Sequence, residues 1–180
     1  CDSLLSITIP SHVTEIGNGA FAACSLIDSI ALPDAVKTIG DDLFRACDSL
    51  QHVSMPATIT SVGKYAFADC ISLPSLHLPS GVKTIGENAF AGCTALADLQ
   101  IPTSVRSIGG DAFRATPWYE QQPLGVVYIN SILYGYKGDM PVGTVIQIKS
   151  GTSTINPAAF RHYTTLSGVV RSGRATYMPL

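Results

Sequence analysis

Five cysteines are the first residues in the chain whose type and spacing could carry chemistry. They fall at Cys1, Cys24, Cys47, Cys70 and Cys93, each 23 residues after the one before. Metal and redox sites built on cysteine usually contain pairs two residues apart, and this spacing provides none. A cysteine that recurs at one position of a repeat is typical of a small, buried, apolar site. Because side chains in such a column point in parallel, disulfides are disfavoured, and the sequence predicts free structural thiols.

Two histidines and one aspartate offer a second possible site. His52, His77 and Asp98 lie in segments that alternate apolar and polar residues, which is the pattern of half-buried strands. Neighbouring strands would bring these side chains close together, and imidazole and carboxylate groups are ligands that zinc accepts. The alternative is a polar strand surface that includes histidine without holding a metal. Both interpretations place the three side chains on the solvent-facing side of the strands.

Other outward positions of the same strands carry small polar side chains. Such a surface suits a broad contact with a protein or a glycan, and its alternative role is to keep the protein soluble. The candidate binding surface predicted in this way comprises Ser29, His52, Ser54, Ser75, His77, Asp98 and Gln100.

Composition and motifs argue against several classes of function. The formal net charge is −2, only 13% of residues are charged and no run of like charges occurs, so a nucleic-acid partner is not expected. No apolar stretch approaches the ~20 residues of a membrane-spanning helix. The chain contains no G-x-S-x-G, H-E-x-x-H or phosphate-binding glycine loop. We therefore expect a protein that is not an enzyme, has no cofactor and does not insert into a membrane.

The 23-residue step is shared by columns of proline, glycine, phenylalanine and branched aliphatic residues. The phenylalanines of this pattern are Phe21, Phe44, Phe67, Phe90 and Phe113. A 23-residue unit cannot bury its own apolar side, but stacked units bury equivalent residues against one another. The sequence therefore predicts a solenoid with a continuous core.

One unit can be divided into elements. A short strand precedes Pro102, which cannot donate to a ladder and ends the strand. Its inward residues are predicted to be Leu96, Leu99 and Ile101. Inward Val105 and Ile108 follow, and then Gly109, for which we predict a positive φ. A short turn, helical or 3₁₀, then brings Phe113 into the core.

The repeat is interrupted after residue 116. We predict regular repeats over 1–116, an irregular segment with a β-hairpin over 117–145, a returning repeat over 146–170 and a tail or cap over 171–180, all within one solenoid over 1–180. Asn130 and Ser131 are the predicted hairpin turn. The residues expected to resume the core positions are Ile148, Ile155, Phe160 and Leu166.

Aromatic residues gather in the interruption and form a secondary candidate site. Exposed tryptophan and tyrosine are favoured at binding hot spots. The alternative is a small local core that fills the gaps of an irregular unit. These residues are Trp118, Tyr119, Tyr128, Tyr134 and Tyr136.

The repeated unit, L-x-x-L-x-I-P-x-x-V-x-x-I-G-x-x-A-F-x-x-C, resembles the BspA-type leucine-rich repeat of secreted and surface proteins of bacteria. The resemblance covers residues 1–116 closely and 145–170 loosely. It implies a β-rich leucine-rich-repeat solenoid with short turns or 3₁₀ or α segments. It also implies export and adhesion, because the family shares a scaffold whose variable positions bind partners.

Two functions are compatible with this resemblance. The first is a secreted or cell-surface module that binds a host extracellular protein, a glycan or another cell. The second is a structural spacer within a longer surface protein. The chain begins partway through a repeat and without a signal peptide, so we expect the signal and anchor to lie in other parts of such a parent protein.

Overall fold

The computed structural model describes residues 1, 3–163 and 169–171. The chain forms two compact units, Cys1–Gln121 and Gln122–Leu180. The boundary between them lies within the segment predicted to be irregular. The assignment of the whole chain to one solenoid remains a prediction.

Within the described residues, the first unit contains eight short strands in two columns. Four successive repeats, beginning with the one that follows Cys24, each contribute a three-residue strand before the proline and a two-residue strand before the glycine. The first column consists of β1 (Ser29–Ala31), β3 (His52–Ser54), β5 (Ser75–His77) and β7 (Asp98–Gln100). The second consists of β2 (Thr38–Ile39), β4 (Ser61–Val62), β6 (Thr84–Ile85) and β8 (Ser107–Ile108). This arrangement confirms the predicted leucine-rich-repeat solenoid.

Strand pairing is parallel and follows the repeat. Ser29 pairs with His52 in the first column, and Thr38 pairs with Ser61 in the second, so each partner lies one repeat away. The second column is a continuous four-stranded sheet, whereas the first is divided into the pairs β1–β3 and β5–β7. Pro74 accounts for this division. Its counterparts Gln51 and Ala97 each donate a backbone N–H to the preceding repeat, and proline has no N–H to donate.

The core of the first unit consists of stacked columns of identical or similar side chains. The rings of Phe44 and Phe67 lie 5.2 Å apart, and those of Phe67 and Phe90 lie 5.4 Å apart, in stacked orientations. Cys47 and Cys70 are completely buried at their column position. Burial of like residues against each other therefore supplies the continuous core that the repeat predicts.

The segments that carry the phenylalanines are turns rather than helices. Their backbones bond to the next repeat, for example from Phe67 N to Ala89 O and from Phe90 N to Ala112 O, each over 2.8 Å. Non-glycine residues adopt left-handed φ at equivalent positions in successive repeats. These residues are Asp42, Tyr65, Asn88 and Asp111, with φ of 55°, 52°, 52° and 54°.

The prediction of a positive φ at Gly109 was wrong. The left-handed residue of that repeat is Asp111. A Cβ atom at Gly109 would instead collide with backbone atoms of Gly86 and Glu87 in the preceding repeat. Glycine is required here because adjacent repeats approach closely, and the same is true of Gly86 against Gly63.

The first unit ends with a change in the cysteine column. Thr116 occupies the position after Cys93 in that column and is the N-cap of α1 (Pro117–Glu120). Its Oγ1 donates to Phe113 O over 2.8 Å and accepts from Tyr119 N over 3.1 Å. Proline at the first helical position suits this start, since its missing N–H would have no helical partner. The hydroxyl thus ends the repeat by beginning a helix.

The second unit begins with the predicted hairpin. Strands β9 (Gly125–Ile129) and β10 (Ile132–Lys137) pair antiparallel, and Asn130 and Ser131 form the turn between them. Asn130 has a φ of 53°, a conformation that asparagine tolerates better than most residues. The hairpin prediction is therefore confirmed.

The repeat returns in the second unit. Strand β12 (Thr154–Ile155) pairs in parallel with β10, and β11 (Ile146–Ile148) pairs in parallel with β13 (Val169–Arg171). Leu133, Ile148 and Ala159 form its core, against which Ile155 and Phe160 pack. Ile146 pairs with Val169, so the 23-residue step continues to the edge of the predicted tail. Leu166 lies outside the described residues.

Candidate functional site

The outward side chains of the first strand column form one exposed surface of the first unit. The flanking residues of each strand are exposed, and the middle residue is buried in three of them, at Ile30, Leu76 and Leu99. The middle residue of β3, Val53, is half-buried. This alternation follows from the two-residue period of a strand. We call the outward residues the outward strand face: Ser29, Ala31, His52, Ser54, Ser75, His77, Asp98 and Gln100.

All seven predicted surface residues are exposed on this face. Pairing places Ser75 beside Asp98 and His77 beside Gln100. Ala31, at the end of β1, also belongs to the face, although it is not one of the seven candidate binding residues.

His77 and Asp98, two members of the face, are in polar contact with each other. Nε2 of His77 lies 3.4 Å from Oδ2 of Asp98, and the two side chains remain 59% and 62% exposed. The contact is diagonal, since the two residues belong to neighbouring strands but are not direct partners. The pair therefore presents an imidazole and a carboxylate together to solvent.

His52 does not join this pair in one ligand set. It lies on β3, where its direct partner is Ser29 of β1. Within the residues that the structure describes, no group of three or more His, Cys, Asp or Glu side chains is arranged to hold a metal ion. The three side chains therefore do not form the single ligand set that the metal interpretation requires.

Four members of the cysteine column are buried free thiols, as the sequence predicts, whereas the first member, Cys1, is exposed. Cys47 Sγ donates to Phe21 O, and Cys70 Sγ donates to Phe44 O, each over 3.0 Å. Burial raises the pKa of the Cys47 thiol from 9.0 to about 11. A hydrogen bond with Cys93, together with burial, raises the pKa of Cys70. Thiols held protonated in this way are poor nucleophiles, so Cys47 and Cys70 have a structural role.

Two of the predicted aromatic residues lie at the end of the first unit. The ring of Trp118 lies 4.9 Å from that of Phe113 at an interplanar angle of 59°, and its backbone N–H donates to Leu96 O. Trp118 and Tyr119 are both half-buried. Trp118 therefore covers the last ring of the phenylalanine column. This is a packing role, which the sequence offered as the alternative to a role in binding.

The other three predicted aromatic residues belong to the second unit. Tyr134 is only 7% exposed. The hydroxyl of Tyr128 accepts from Lys149 N over 2.9 Å, and Lys149 Nζ lies 4.5 Å from the centre of the Tyr128 ring. These contacts use the side chains in packing, and their role in binding remains a prediction.

Tyr136 also has a structural partner that the sequence did not indicate. Its ring meets that of Tyr163 edge to face, with centroids 5.5 Å apart. The Tyr163 hydroxyl donates to Tyr136 O and to Gly138 O. Tyr163 lies shortly after Phe160. The repeat pattern predicted a core position for Phe160 but gave no role to Tyr163.

Comparison with known proteins identifies related repeats. A family model of the BspA-type leucine-rich repeat region matches residues 1–118 in 6 copies. A search of curated proteins finds no significant match.

Among the described residues, no helix is both long and apolar enough to cross a membrane.

Several solved structures are similar to this chain. The leucine-rich repeat protein of T. pallidum is 30% identical, with a TM-score of 0.59 over 61% of this chain and 54% of that chain. A leucine-rich repeat protein from Eubacterium ventriosum is 24% identical, with a TM-score of 0.51 over 63% and 37% of the two chains. A leucine-rich cell surface protein from Faecalibacterium prausnitzii is 27% identical, with a TM-score of 0.49 over 88% and 39%. The chain spans about half the length of the T. pallidum protein.

Proposed function

Because the chain belongs to the BspA-type leucine-rich repeat family, we propose that it is a secreted or cell-surface binding module. Its outward strand face contacts a host extracellular protein, a glycan or another cell. The module is not an enzyme and does not bind nucleic acid. The leucine-rich-repeat solenoid supports the first of these statements, since such folds generally serve binding rather than catalysis. The low and slightly negative net charge supports the second.

The observation that carries the proposal is the contrast between the two sides of the first strand column. The inward positions hold buried Ile30, Leu76 and Leu99, which core packing restricts to large aliphatic residues. The outward positions change chemistry from repeat to repeat, from Ser29 to Asp98 at equivalent sites. Packing does not require this variety, whereas recognition of a partner does.

The second column provides a useful contrast. The outward residues of its strands are Thr38, Ser61, Thr84 and Ser107, which are all small hydroxyl residues. Uniform hydroxyl side chains suit a solvated surface without a specific partner. Its regular pairing also supports the alternative function of a structural spacer, because a continuous parallel sheet stiffens the stack of repeats.

Binding to an immobilised panel of extracellular-matrix proteins and glycans tests the proposal. The 180-residue chain is compared with a variant that combines His52→Ala, His77→Ala and Asp98→Ala. All three side chains are exposed, so the variant should fold normally. We expect saturable binding of the original chain to at least one panel component and loss of that binding in the variant.

A matched control variant carries the same number of exposed strand residues changed to alanine, namely Thr38→Ala, Thr84→Ala and Ser107→Ala. It should bind as the original chain does. Equal loss of binding in both variants would refute the assignment to the outward strand face. Failure of the original chain to bind any component would leave the spacer as the better account.

A further inference from the structure

The outward strand face lacks the residue types that anchor protein partners. Protein interfaces take most of their binding energy from large buried side chains, above all Trp, Tyr and Arg. No residue of the face is of these types, and its largest side chains are the imidazoles of His52 and His77. The one apolar member is Ala31. A protein partner would therefore find few apolar anchors on this surface.

The face is instead dense in hydrogen-bonding groups. Every member except Ala31 carries a hydroxyl, imidazole, carboxylate or amide group. Paired strands, such as β5 and β7, lie about 4.8 Å apart, and outward residues of one strand are separated by about 6.6 Å, or two residues. Polar groups thus repeat across the surface at short intervals in both directions. Such an array suits a ligand that offers many hydroxyl groups.

The charges of the outward strand face indicate whether a neutral or an anionic glycan fits it better. Asp98 is the only carboxylate of the face, and the face contains no Lys or Arg. A sulfated or sialylated glycan would meet this carboxylate without a permanent cation beside it, which is unfavourable. A neutral glycan meets it with hydroxyl donors, and hydrogen bonds from hydroxyls to a carboxylate are short and strong.

The contact with His77 leaves the Asp98 carboxylate able to accept hydrogen bonds from glycan hydroxyl groups. Nε2 of His77 approaches Oδ2 of Asp98 to 3.4 Å. A carboxylate can accept about four hydrogen bonds, so this one contact leaves capacity for further hydroxyl donors. Gln100, two residues along the same strand, adds an amide that both donates and accepts. The end of the face formed by β7 therefore concentrates its strongest polar groups.

We propose that the partner of the outward strand face is a neutral glycan, bound chiefly by hydrogen bonds from its hydroxyl groups to Asp98, His77 and Gln100. This inference rests on the function proposed above, because it specifies the partner of the same surface. The inference predicts that the face recognises the sugar itself and not the protein that carries the sugar.

The experiment measures binding of the 180-residue chain to three sets of probes. The first set consists of neutral oligosaccharides, and the second of sulfated and sialylated oligosaccharides. The third consists of matrix glycoproteins before and after enzymatic removal of their glycans. We expect binding to the neutral set, and we expect glycoprotein binding to disappear after glycan removal. A soluble neutral oligosaccharide should compete with the glycoprotein.

The variant Asp98→Asn tests the role of the charge. It keeps the shape of the side chain but loses the negative charge, and we expect the dissociation constant for the neutral oligosaccharide to rise at least ~10-fold. Thr84→Ala, an exposed change on β6, serves as the control and should leave affinity unchanged.

The outcomes distinguish this inference from the function on which it rests. Unchanged binding to glycoproteins stripped of their glycans would overturn the glycan inference and leave the binding function intact. Binding to the anionic set alone would also overturn it. The absence of binding to every probe would overturn both.

Discussion

The imidazole of His77 lies beside the carboxylate of Asp98, with Nε2 3.4 Å from Oδ2. Direct partners across these strands are Ser75 with Asp98 and His77 with Gln100, so the contact runs diagonally. Both side chains are more than half exposed. Exposed ion pairs contribute little to stability because water screens them. The pair is therefore a feature of the surface rather than a support of the fold.

The exposure of the His77–Asp98 pair leads to a prediction about stability. His77→Ala and Asp98→Ala should each change the free energy of unfolding by less than about 0.5 kcal/mol, as is usual for exposed sites. Denaturant unfolding measures the change. A loss of about 2 kcal/mol or more would show that the pair supports the fold, and would weaken its assignment to binding.

A second prediction concerns the glycine column. In Gly86→Ala the new Cβ would overlap backbone atoms of Gly63 and Lys64, which cannot move without separating two repeats. We expect a destabilisation of about 1–3 kcal/mol or more, the cost of overpacking. Gly17→Ala is the matched control, because no atom lies within 4 Å of its added Cβ. Equal effects of the two substitutions on denaturant unfolding would contradict the close-approach explanation.

A third prediction concerns pH. Burial raises the pKa of Cys47 from 9.0 to about 11, so the native thiol keeps its proton where the unfolded thiol loses it. The resulting stability is fully present below pH 9 and is lost as pH rises towards 11. Unfolding free energies measured across this range should therefore fall with pH. Cys47→Ala should fall less steeply, and an identical slope in the two proteins would refute the assignment.

A fourth prediction concerns the end of the first unit. Thr116→Ala removes the hydroxyl that accepts from Tyr119 N and donates to Phe113 O. The loss of such an N-cap typically costs ~1 kcal/mol. Thr116→Ser retains the hydroxyl and should lose less stability in thermal or denaturant unfolding. If serine and alanine destabilise equally, the cap does not explain the threonine.

Much of the fold could be predicted because the repeat places equivalent residues in equivalent environments. The burial of Phe67 and Cys70 follows directly from their columns. Gly109 could not be interpreted correctly from one repeat, since the atoms that exclude its side chain belong to the preceding repeat. The left-handed backbone conformation at Tyr65 could not be predicted either, because a tyrosine does not indicate that conformation.

The candidate site was predictable in part. The two-residue period of the strands identified which residues point outward, and those residues are exposed. The sequence also predicted that His77 and Asp98 lie close together, but it could not show the contact of Nε2 with Oδ2, which depends on side-chain conformation. Nor could it show that Pro74 separates β3 from β5, which depends on the backbone hydrogen bonds of neighbouring repeats.

The most direct test of the outward strand face as the binding surface is protection of its histidines from diethyl pyrocarbonate. The chain is modified alone and while bound to the panel component that retains it most strongly, and mass spectrometry measures each site. His52 and His77 lie on the face, whereas exposed His12 lies outside it and serves as an internal reference. We predict that binding slows modification of His52 and His77 and leaves His12 unaffected. Unchanged reactivity of His52 and His77 in the bound chain would contradict the account.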